Sequence, residues 1–459
     1  MEKFNFYQIT DLHYYANEAI GSYGKYFDLR CNMDQKCVAE SGAIIDAAFK
    51  EIADDKDNEI VIISGDVTYD GEKVSHDLLV KKLKKLKAAG KRIFLTFATH
   101  DFDNNARGYT EIGDFKLEEY TRAELRELYN DFGWNEACAE HVPSYSYAVK
   151  MLPGWRFLLL NDDGNGRSFC GYDETLIDWI KNQVKEANAD GEKVIAVTHH
   201  PMLPPGVIYP LFSHRDMLGD YETVAPMFAD LGIQFCFTGH THMQSITHID
   251  TARGNRLYHI NTGSIVGHPA PYRKMTVTED GIDVKTHNLK SFDWDMRGMT
   301  TEEYMKAHFL FMLKDIFDSM ENDIEHFKLL ANGFSMDAKT VDKLKPLLKT
   351  LGKIINTLTF GSLGKLLLVK IDPLMKDVKV RDFLLELVVN LYSGIRRYTP
   401  DTAEYKSFMA IASRIPKFIN LKDYFGNPVE FTDIFEDLLY NTGEFDNTNA
   451  FLPFKDFHV

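Results

Sequence analysis

Short apolar stretches alternate with amphipathic ones along the first 290 residues of the chain. The apolar stretches are rich in β-branched and aromatic residues and are bounded by Gly or Asp, a pattern that predicts strands. Strands are predicted over Asn5–Thr10, Glu59–Ser64, Arg92–Ala98, Arg156–Leu160, Lys193–Thr198, Ile233–Phe237, Leu257–Asn261, Lys274–Thr278 and Ile282–Thr286. Apolar residues at helical spacing predict helices over Lys36–Ala53, Ser75–Ala89, Arg122–Phe132, Glu174–Ala189 and Tyr221–Asp230. This alternation favours an α/β fold with a largely parallel sheet covered by helices.

The pattern changes after about residue 292. Residues 300–440 carry mostly helical periodicity, with apolar-rich amphipathic stretches over Lys343–Lys370 and Val380–Ile395. We therefore expect one domain over residues 1–292 and an all-helical C-terminal domain over residues 300–459. The helical domain would act as a cap or in oligomerisation, and homo-oligomers through its helices are possible. Packing of the Lys-rich stretch on protein is favoured over its lying on a membrane surface.

Charge limits the classes of partner. The chain of 459 residues holds 52 Lys and Arg against 68 Asp and Glu, a net charge of −16. Such a balance argues against general nucleic-acid binding, which needs an excess of Lys and Arg side chains to replace the counterions of the phosphates. A phosphorylated substrate remains compatible, because a bound metal can reverse the local field. Most of the negative charge and most of the 16 His precede residue 300, as a metal-binding domain or simply an acidic surface would show.

Cysteine usage and hydropathy indicate the compartment. The five Cys show no zinc-ligand spacing, which suggests free thiols in a reducing environment. The N-terminal residues lack a signal-peptide pattern, and no run of 18 apolar residues would span a membrane. We expect a cytoplasmic protein.

Candidate chemistry follows five of the predicted strands, directly after each strand ends. The five segments are Thr10-Asp11-Leu12-His13, Ser64-Gly65-Asp66, Ala98-Thr99-His100-Asp101, Thr198-His199-His200-Pro201 and Thr238-Gly239-His240-Thr241-His242. Each delivers a carboxylate or an imidazole at the carboxyl end of a strand, where open α/β sheets bind their ligands.

These residue types indicate a metal site. Carboxylates and neutral imidazoles suit Mn, Fe, Zn, Co or Ni. The potential ligands are too many for one tetrahedral site: they are Asp11, His13, Asp66, His199, His240 and His242. They match two divalent ions that share Asp66, an arrangement that recurs in phosphoryl chemistry.

The motifs DxH, GD, HD, HHP and GHTH, in this order, resemble those of the calcineurin-like metallophosphoesterases over roughly residues 1–290. Residues 65–73 are similar to bacterial stand-alone members and differ from the GDxVDRG motif of the protein serine/threonine phosphatases. The resemblance implies an α/β/β/α sandwich of two mixed sheets flanked by helices. It also implies hydrolysis of a phosphate mono- or diester of a small molecule.

The resemblance further implies a role for each matching residue. Asp11, His13 and His242 would hold one ion, His199 and His240 would hold the second, and Asp66 would bridge them. His100, oriented by Asp101, would act as the acid or hydrogen-bond donor to the departing oxygen. A hydroxide between the ions would attack phosphorus.

One position departs from the family pattern, since Thr99 stands where the family has an Asn that ligates the second ion. Weaker retention of that ion is expected. A catalytically weak binding or scaffold protein with a degenerate second site is therefore an alternative, and a nuclease is a further one that the charge disfavours. His200 and Arg107 are candidates for contacting the substrate phosphate. His200 could equally pack beside Pro201, and a surface position is favoured for Arg107.

Overall fold

The structure is a computed structural model that describes residues 3–163, 170–206, 209, 216–332, 336–414, 421–422 and 428–458. It divides into two compact units. The first comprises Met1–Pro205, Asp216–Met305 and Phe445–Val459, and the second comprises Gly206–Arg215 and Lys306–Glu444.

The first unit is built on two mixed sheets. Across the first sheet the strands are β17 (Asn449–Pro453), β14 (Gly281–Asn288), β13 (Pro271–Val277), β1 (Phe4–Ile9), β2 (Ile60–Ser64) and β3 (Arg92–Thr96). Across the second they are β11 (Ser245–Asp250), β12 (Arg256–Asn261), β10 (Phe235–Thr238), β9 (Lys193–Val197), β8 (Trp155–Leu159), β7 (Ser146–Leu152) and β6 (Ala139–His141). Strands β1, β2 and β3 are parallel, as are β8, β9, β10 and β12, and the remaining pairs are antiparallel.

Helices and one small hairpin surround these sheets. The helices of the first unit are α1 (Asn17–Ile20), α2 (Gly24–Asn32), α3 (Ser41–Asp54), α4 (Lys73–Ala88), α5 (Arg122–Leu128), α6 (Glu174–Ala189) and α7 (Tyr221–Asp230). The hairpin pairs β4 (Arg107–Tyr109) with β5 (Asp114–Lys116).

The two sheets pack face to face through an aromatic core. The ring of Phe6 on β1 lies edge-on to Phe157 on β8 and Phe237 on β10, with ring centroids 5.6 and 5.3 Å apart. Strand β2 is buried along its whole length, which explains its uninterrupted apolar sequence. The predicted fold class, two mixed sheets with flanking helices, is therefore confirmed.

The end of the chain returns to the first unit. Strand β17 pairs antiparallel with β14, and Phe454 beyond it packs against Trp155 and Phe235. The sequence analysis assigned this segment to the helical region after residue 300. The difference arises because a single short edge strand has no periodic partner nearby in the sequence and is specified by β14, more than 160 residues away.

The second unit is mainly helical. Helix α8 (Thr301–Asn322) leads into it, followed by α9 (Ile324–Asn332), α10 (Ala338–Thr357), α11 (Phe360–Leu367), α12 (Val380–Tyr392), α13 (Ala403–Ala412) and α14 (Phe431–Leu439), with a short pairing of β15 (Leu421–Lys422) and β16 (Pro428–Val429). One of its cores packs Phe360 on α11 against Phe383 on α12. Within the described ranges, no helix combines the length and apolarity needed to cross a membrane.

Candidate metal centre

The first group of predicted ligands lies at the ends of β1 and β10. Asp11, His13 and His242 each offer one ligand atom within 4.8 Å of the others. The Oδ1 atom of Asp11 is 3.3 Å from Nε2 of His242 and 3.5 Å from Nε2 of His13. The two Nε2 atoms are 3.1 Å apart, so all three groups face one point.

The second group comes from the ends of β2, β9 and β10. Asp66, His199 and His240 again offer atoms within 4.8 Å of one another, and Oδ2 of Asp66 is 3.0 Å from Nε2 of His199. The same Oδ2 atom is 3.7 Å from Nε2 of His13 in the first group. One carboxylate therefore faces both groups.

The unpartnered atoms of the cluster fit metal ions. Oδ1 of Asp11 and Nε2 of His199 are buried and have no hydrogen-bond partner among the described residues. Leaving a buried polar atom without a partner is unfavourable by about 1–3 kcal/mol. Two such atoms at one place therefore indicate a binding site. Carboxylate oxygens and imidazole nitrogens are the donors that divalent transition metals take, and this set suits them.

Neighbouring acceptors fix the orientation of two of these imidazoles. Nδ1 of His199 donates to the Ser64 carbonyl at 2.7 Å, and Nδ1 of His242 donates to Oε1 of Gln35 at 2.9 Å. Each hydrogen bond leaves the lone pair of Nε2 directed at the cluster, as is usual for metal-ligating His. Sequence analysis missed Gln35, which is 207 residues away from His242 and carries no motif.

The charges in the cluster favour the ligating forms of the two carboxyls and of His13. Burial alone would raise the pKa of the Asp11 and Asp66 carboxyls, but the nearby imidazoles, His199 foremost, hold both pKa values well below the usual range. Burial lowers the pKa of His13, which favours its neutral, metal-binding form. Burial opposes protonation of His199, but the charges of Asp66 and Asp11 raise its pKa to about 10, so a metal ion would displace a proton there.

His100 lies beside both groups. Its backbone N–H donates to Oδ1 of Asp66 at 3.0 Å, and its ring lies edge-on to that of His13 at 4.8 Å. Its Nδ1 atom is 2.7 Å from the Tyr69 carbonyl and 3.1 Å from Oδ1 of Asp70. Because a carbonyl only accepts, Nδ1 carries the proton and Nε2 is the remaining ring nitrogen.

Asp101 does not orient His100, which differs from the expectation. Its buried carboxylate instead accepts from the backbone N–H groups of Val67 at 2.8 Å, Thr68 at 3.0 Å and Ala98 at 2.8 Å. Asp101 thus fixes the turns after β2 and β3, and Asp70 takes the place beside His100. The tight turn at Asp101 points its side chain back at these backbone groups, which a linear motif does not reveal.

Comparison with known proteins decides the family. A family model described as calcineurin-like phosphoesterase matches residues 4–244, more than half of the chain. The chain belongs to the calcineurin-like phosphoesterase family. It is accordingly a metal-dependent phosphoesterase, which confirms the resemblance seen in its motifs. No curated protein sequence matches the chain.

Solved structures include similar folds at low sequence identity. A dimetal phosphatase from Danio rerio aligns with 63% of this chain and 97% of its own, at 15% identity and a TM-score of 0.46. A purple acid phosphatase from yellow lupin (Lupinus luteus) seeds aligns with 62% of this chain and 52% of its own, at 11% identity and a TM-score of 0.42.

The remaining predicted positions of this phosphoesterase have distinct surroundings. Thr99 is partly buried in the turn after β3, next to His100. Arg107 lies on β4, where it contacts Oδ2 of Asp114 at 3.3 Å and Oδ1 of Asn105 at 2.8 Å. Its contact with a phosphate stays a prediction.

His200 is held by a carboxylate that sequence analysis missed. Only 2% of His200 is exposed, and its Nδ1 is 2.9 Å from Oδ1 of Asp162. The other oxygen of Asp162 accepts from the backbone N–H groups of His199 and His200. The sequence did contain an indication of its role, because Asp162 follows a predicted strand as the other site carboxylates do. The ring of His200 packs against that of His240 at an angle of 38°, with centroids 4.0 Å apart, so this pair supports the second ligand group.

Proposed function

We propose that this phosphoesterase hydrolyses a phosphate ester of a small molecule with two divalent ions held at the carboxyl ends of its strands. The observation that carries the proposal is the pair of ligand groups, Asp11 with His13 and His242, and Asp66 with His199 and His240. Each contains one carboxylate and two imidazoles. A single closed site would leave several of these groups without a role.

Asp66 is the shared ligand in this proposal. Its Oδ2 atom faces His199 at 3.0 Å and His13 at 3.7 Å, one from each group, which supports a bridging role. Asp11 and His242 complete the first set with His13, and His240 completes the second with His199. Bound ions would supply Lewis acidity, a water deprotonated near neutral pH and charge that stabilises the transition state.

His100 delivers the proton to the departing oxygen. The Tyr69 carbonyl and Asp70 both accept from Nδ1, so Nε2 donates when the ring carries its second proton. Burial opposes this protonated form, but the charge of Asp66 and the hydrogen bond to Asp70 raise the pKa of His100 and favour it. The edge-on contact with His13 keeps the ring beside the first ligand group. His100 is expected to affect turnover strongly and metal content weakly.

The ligand sets favour hydrolysis over a scaffold with a degenerate second site. Thr99 offers a shorter and weaker ligand than the Asn of the family, yet Asp66, His199 and His240 still meet within 4.8 Å. The second ion is therefore retained less tightly and remains available for the reaction. The net charge of −16 favours a small substrate over a nucleic acid.

Chromogenic mono- and diesters, assayed with and without Mn²⁺, test the proposal. Wild-type protein should show metal-stimulated turnover and bind up to two ions by elemental analysis. Asp66→Asn should lose most of the turnover and at least one ion. Asp28→Asn, at an exposed residue on α2, is the matched control and should behave as wild type. Absence of metal-stimulated turnover on every ester would reject the proposal.

A further inference from the structure

A short segment after α2 touches both sides of the candidate centre. Gln35 accepts from Nδ1 of His242 at 2.9 Å. Asp34 accepts from the Tyr69 phenol at 2.9 Å, and the Tyr69 carbonyl in turn binds His100. The next residue, Lys36, pairs through its backbone with Gly267 and is held in place on that side.

The Lys36 ammonium is nearly buried and under-coordinated. Its side chain is only 10% exposed, and the ammonium lies 5.3 Å from the centre of the Tyr69 ring. Within the described residues its carboxylate neighbour is Asp34, with Nζ and Oδ1 3.5 Å apart. Asp34 is shared, because Arg30 lies 3.3 Å from its other oxygen. A buried ammonium with three donors and one long, shared contact has capacity for a further anion.

The charge of Lys36 acts on the candidate centre. Burial is the main cause that lowers the pKa of His13, and the charge of Lys36 is the next. At His100 the pKa is raised: burial opposes the shift, the charge of Asp66 and the hydrogen bond to Asp70 raise the pKa, and Lys36 lowers it. The geometry places Lys36 beside the centre: it directly follows Gln35, which binds His242, and its ammonium packs on the ring of Tyr69, whose carbonyl binds His100.

We propose that Lys36 forms an anion subsite that binds a peripheral oxygen of a terminal phosphate, so that this enzyme selects phosphate monoesters over diesters. The inference rests on the proposed function and names the substrate class of the same site. A monoester dianion presents an additional charged peripheral oxygen, which can accept from the ammonium. A diester carries an alkyl or aryl group at one of those oxygens and a single negative charge, which leaves the ammonium poorly paired.

Variants of Lys36 test this assignment. Lys36→Met keeps an unbranched stem against Tyr69 and removes the charge, and Lys36→Arg keeps the charge. Lys25→Met, at an exposed residue on α2, is the control. With Mn²⁺ present, wild type should prefer a monoester over a diester. Lys36→Met should lower kcat/KM for the monoester about 10- to 100-fold, with less than about a threefold change for the diester. Lys36→Arg should retain most of the preference.

Inorganic phosphate supplies a readout that does not depend on turnover. Phosphate should raise the thermal midpoint of the Mn²⁺-loaded wild type and of Lys25→Met, with about tenfold weaker apparent affinity in Lys36→Met. Equal losses on both esters, or unchanged phosphate affinity, would overturn the subsite and reduce Lys36 to a structural partner of Asp34. Lys36-dependent phosphate binding without turnover would support the subsite while rejecting the proposed hydrolysis.

Discussion

Asp70 contacts the His100 ring and Asp101 follows His100 in the chain, and replacing each carboxyl separately shows which one serves the reaction. Asp70→Asn removes the charge 3.1 Å from Nδ1 of His100. Asp101→Asn changes a carboxylate that binds backbone N–H groups. We expect Asp70→Asn to lower kcat at nearly constant stability, and Asp101→Asn to lower stability at nearly constant kcat per folded molecule.

The magnitudes follow from the partners of each residue. Asp70→Asn weakens a hydrogen bond between charged groups, but the Tyr69 carbonyl at 2.7 Å still fixes the tautomer of His100. A loss of about 1–2 kcal/mol, or about 5- to 30-fold in kcat, is therefore expected rather than the far larger loss caused by a wrong tautomer. Asp101→Asn keeps an acceptor for Val67 and Thr68 but turns an N–H₂ group toward the Ala98 N–H, which should destabilise the fold by about 2–3 kcal/mol.

Kinetics and denaturation on the same preparations separate these effects. The kcat of each variant is measured with saturating Mn²⁺ on a chromogenic ester, and the free energy of unfolding is measured by urea titration. Metal content serves as the check that neither variant has lost ions. A large fall in kcat for Asp101→Asn at unchanged stability, with Asp70→Asn as active as wild type, would refute the reasoning and restore Asp101 as the partner of His100.

Three further changes have expected outcomes. Thr99→Asn should raise the metal stoichiometry measured by elemental analysis, because an amide oxygen reaches farther than a hydroxyl; an unchanged stoichiometry would count against a weak second site. Removal of metal by a chelator should lower the thermal midpoint, and added Mn²⁺ should restore it, since ions bind the buried atoms of Asp11 and His199 only in the folded state. Burial raises the pKa of Glu72 from 4.5 to about 8, with the charge of Asp70 adding to the shift. The folded state thus holds a proton that the unfolded state releases, so stability falls as pH rises from about 4.5 to 8. Glu72→Gln should raise the thermal midpoint more at pH 8 than at pH 5, and an equal change at both values would contradict a protonated Glu72.

The strand-end motifs were predictable because their positions depend on local sequence. A buried strand followed by Gly65-Asp66 or Gly239-His240 carries both its periodicity and its turn residues within ten positions. These ends belong to β1 and β2 of the first sheet and to β9 and β10 of the second, and the packing of the two sheets brings the predicted ligands together. The residues that hydrogen-bond to these histidines could not be predicted in the same way. Gln35 reaches His242 across 207 positions, and Asp162 reaches His200 across 38, so tertiary packing alone pairs them.

The backbone conformation of the ligand residues explains why their side-chain positions cannot be predicted by extending the preceding strands. Five of the six candidate ligands adopt positive φ, namely Asp11 at 51°, His13 at 38°, Asp66 at 50°, His240 at 70° and His242 at 56°. Such conformations are unfavourable by about 1 kcal/mol or more at each non-Gly residue and persist only where the surroundings enforce them. The surroundings here are backbone bonds between neighbouring turns, from Asp11 N–H to the Gly65 carbonyl and from His13 N–H to the Asp66 carbonyl. Paired strands thus hold each turn in the shape that presents its side chain to the cluster. The ligand groups are consequently assembled by the turns that the strands of the two sheets hold in place.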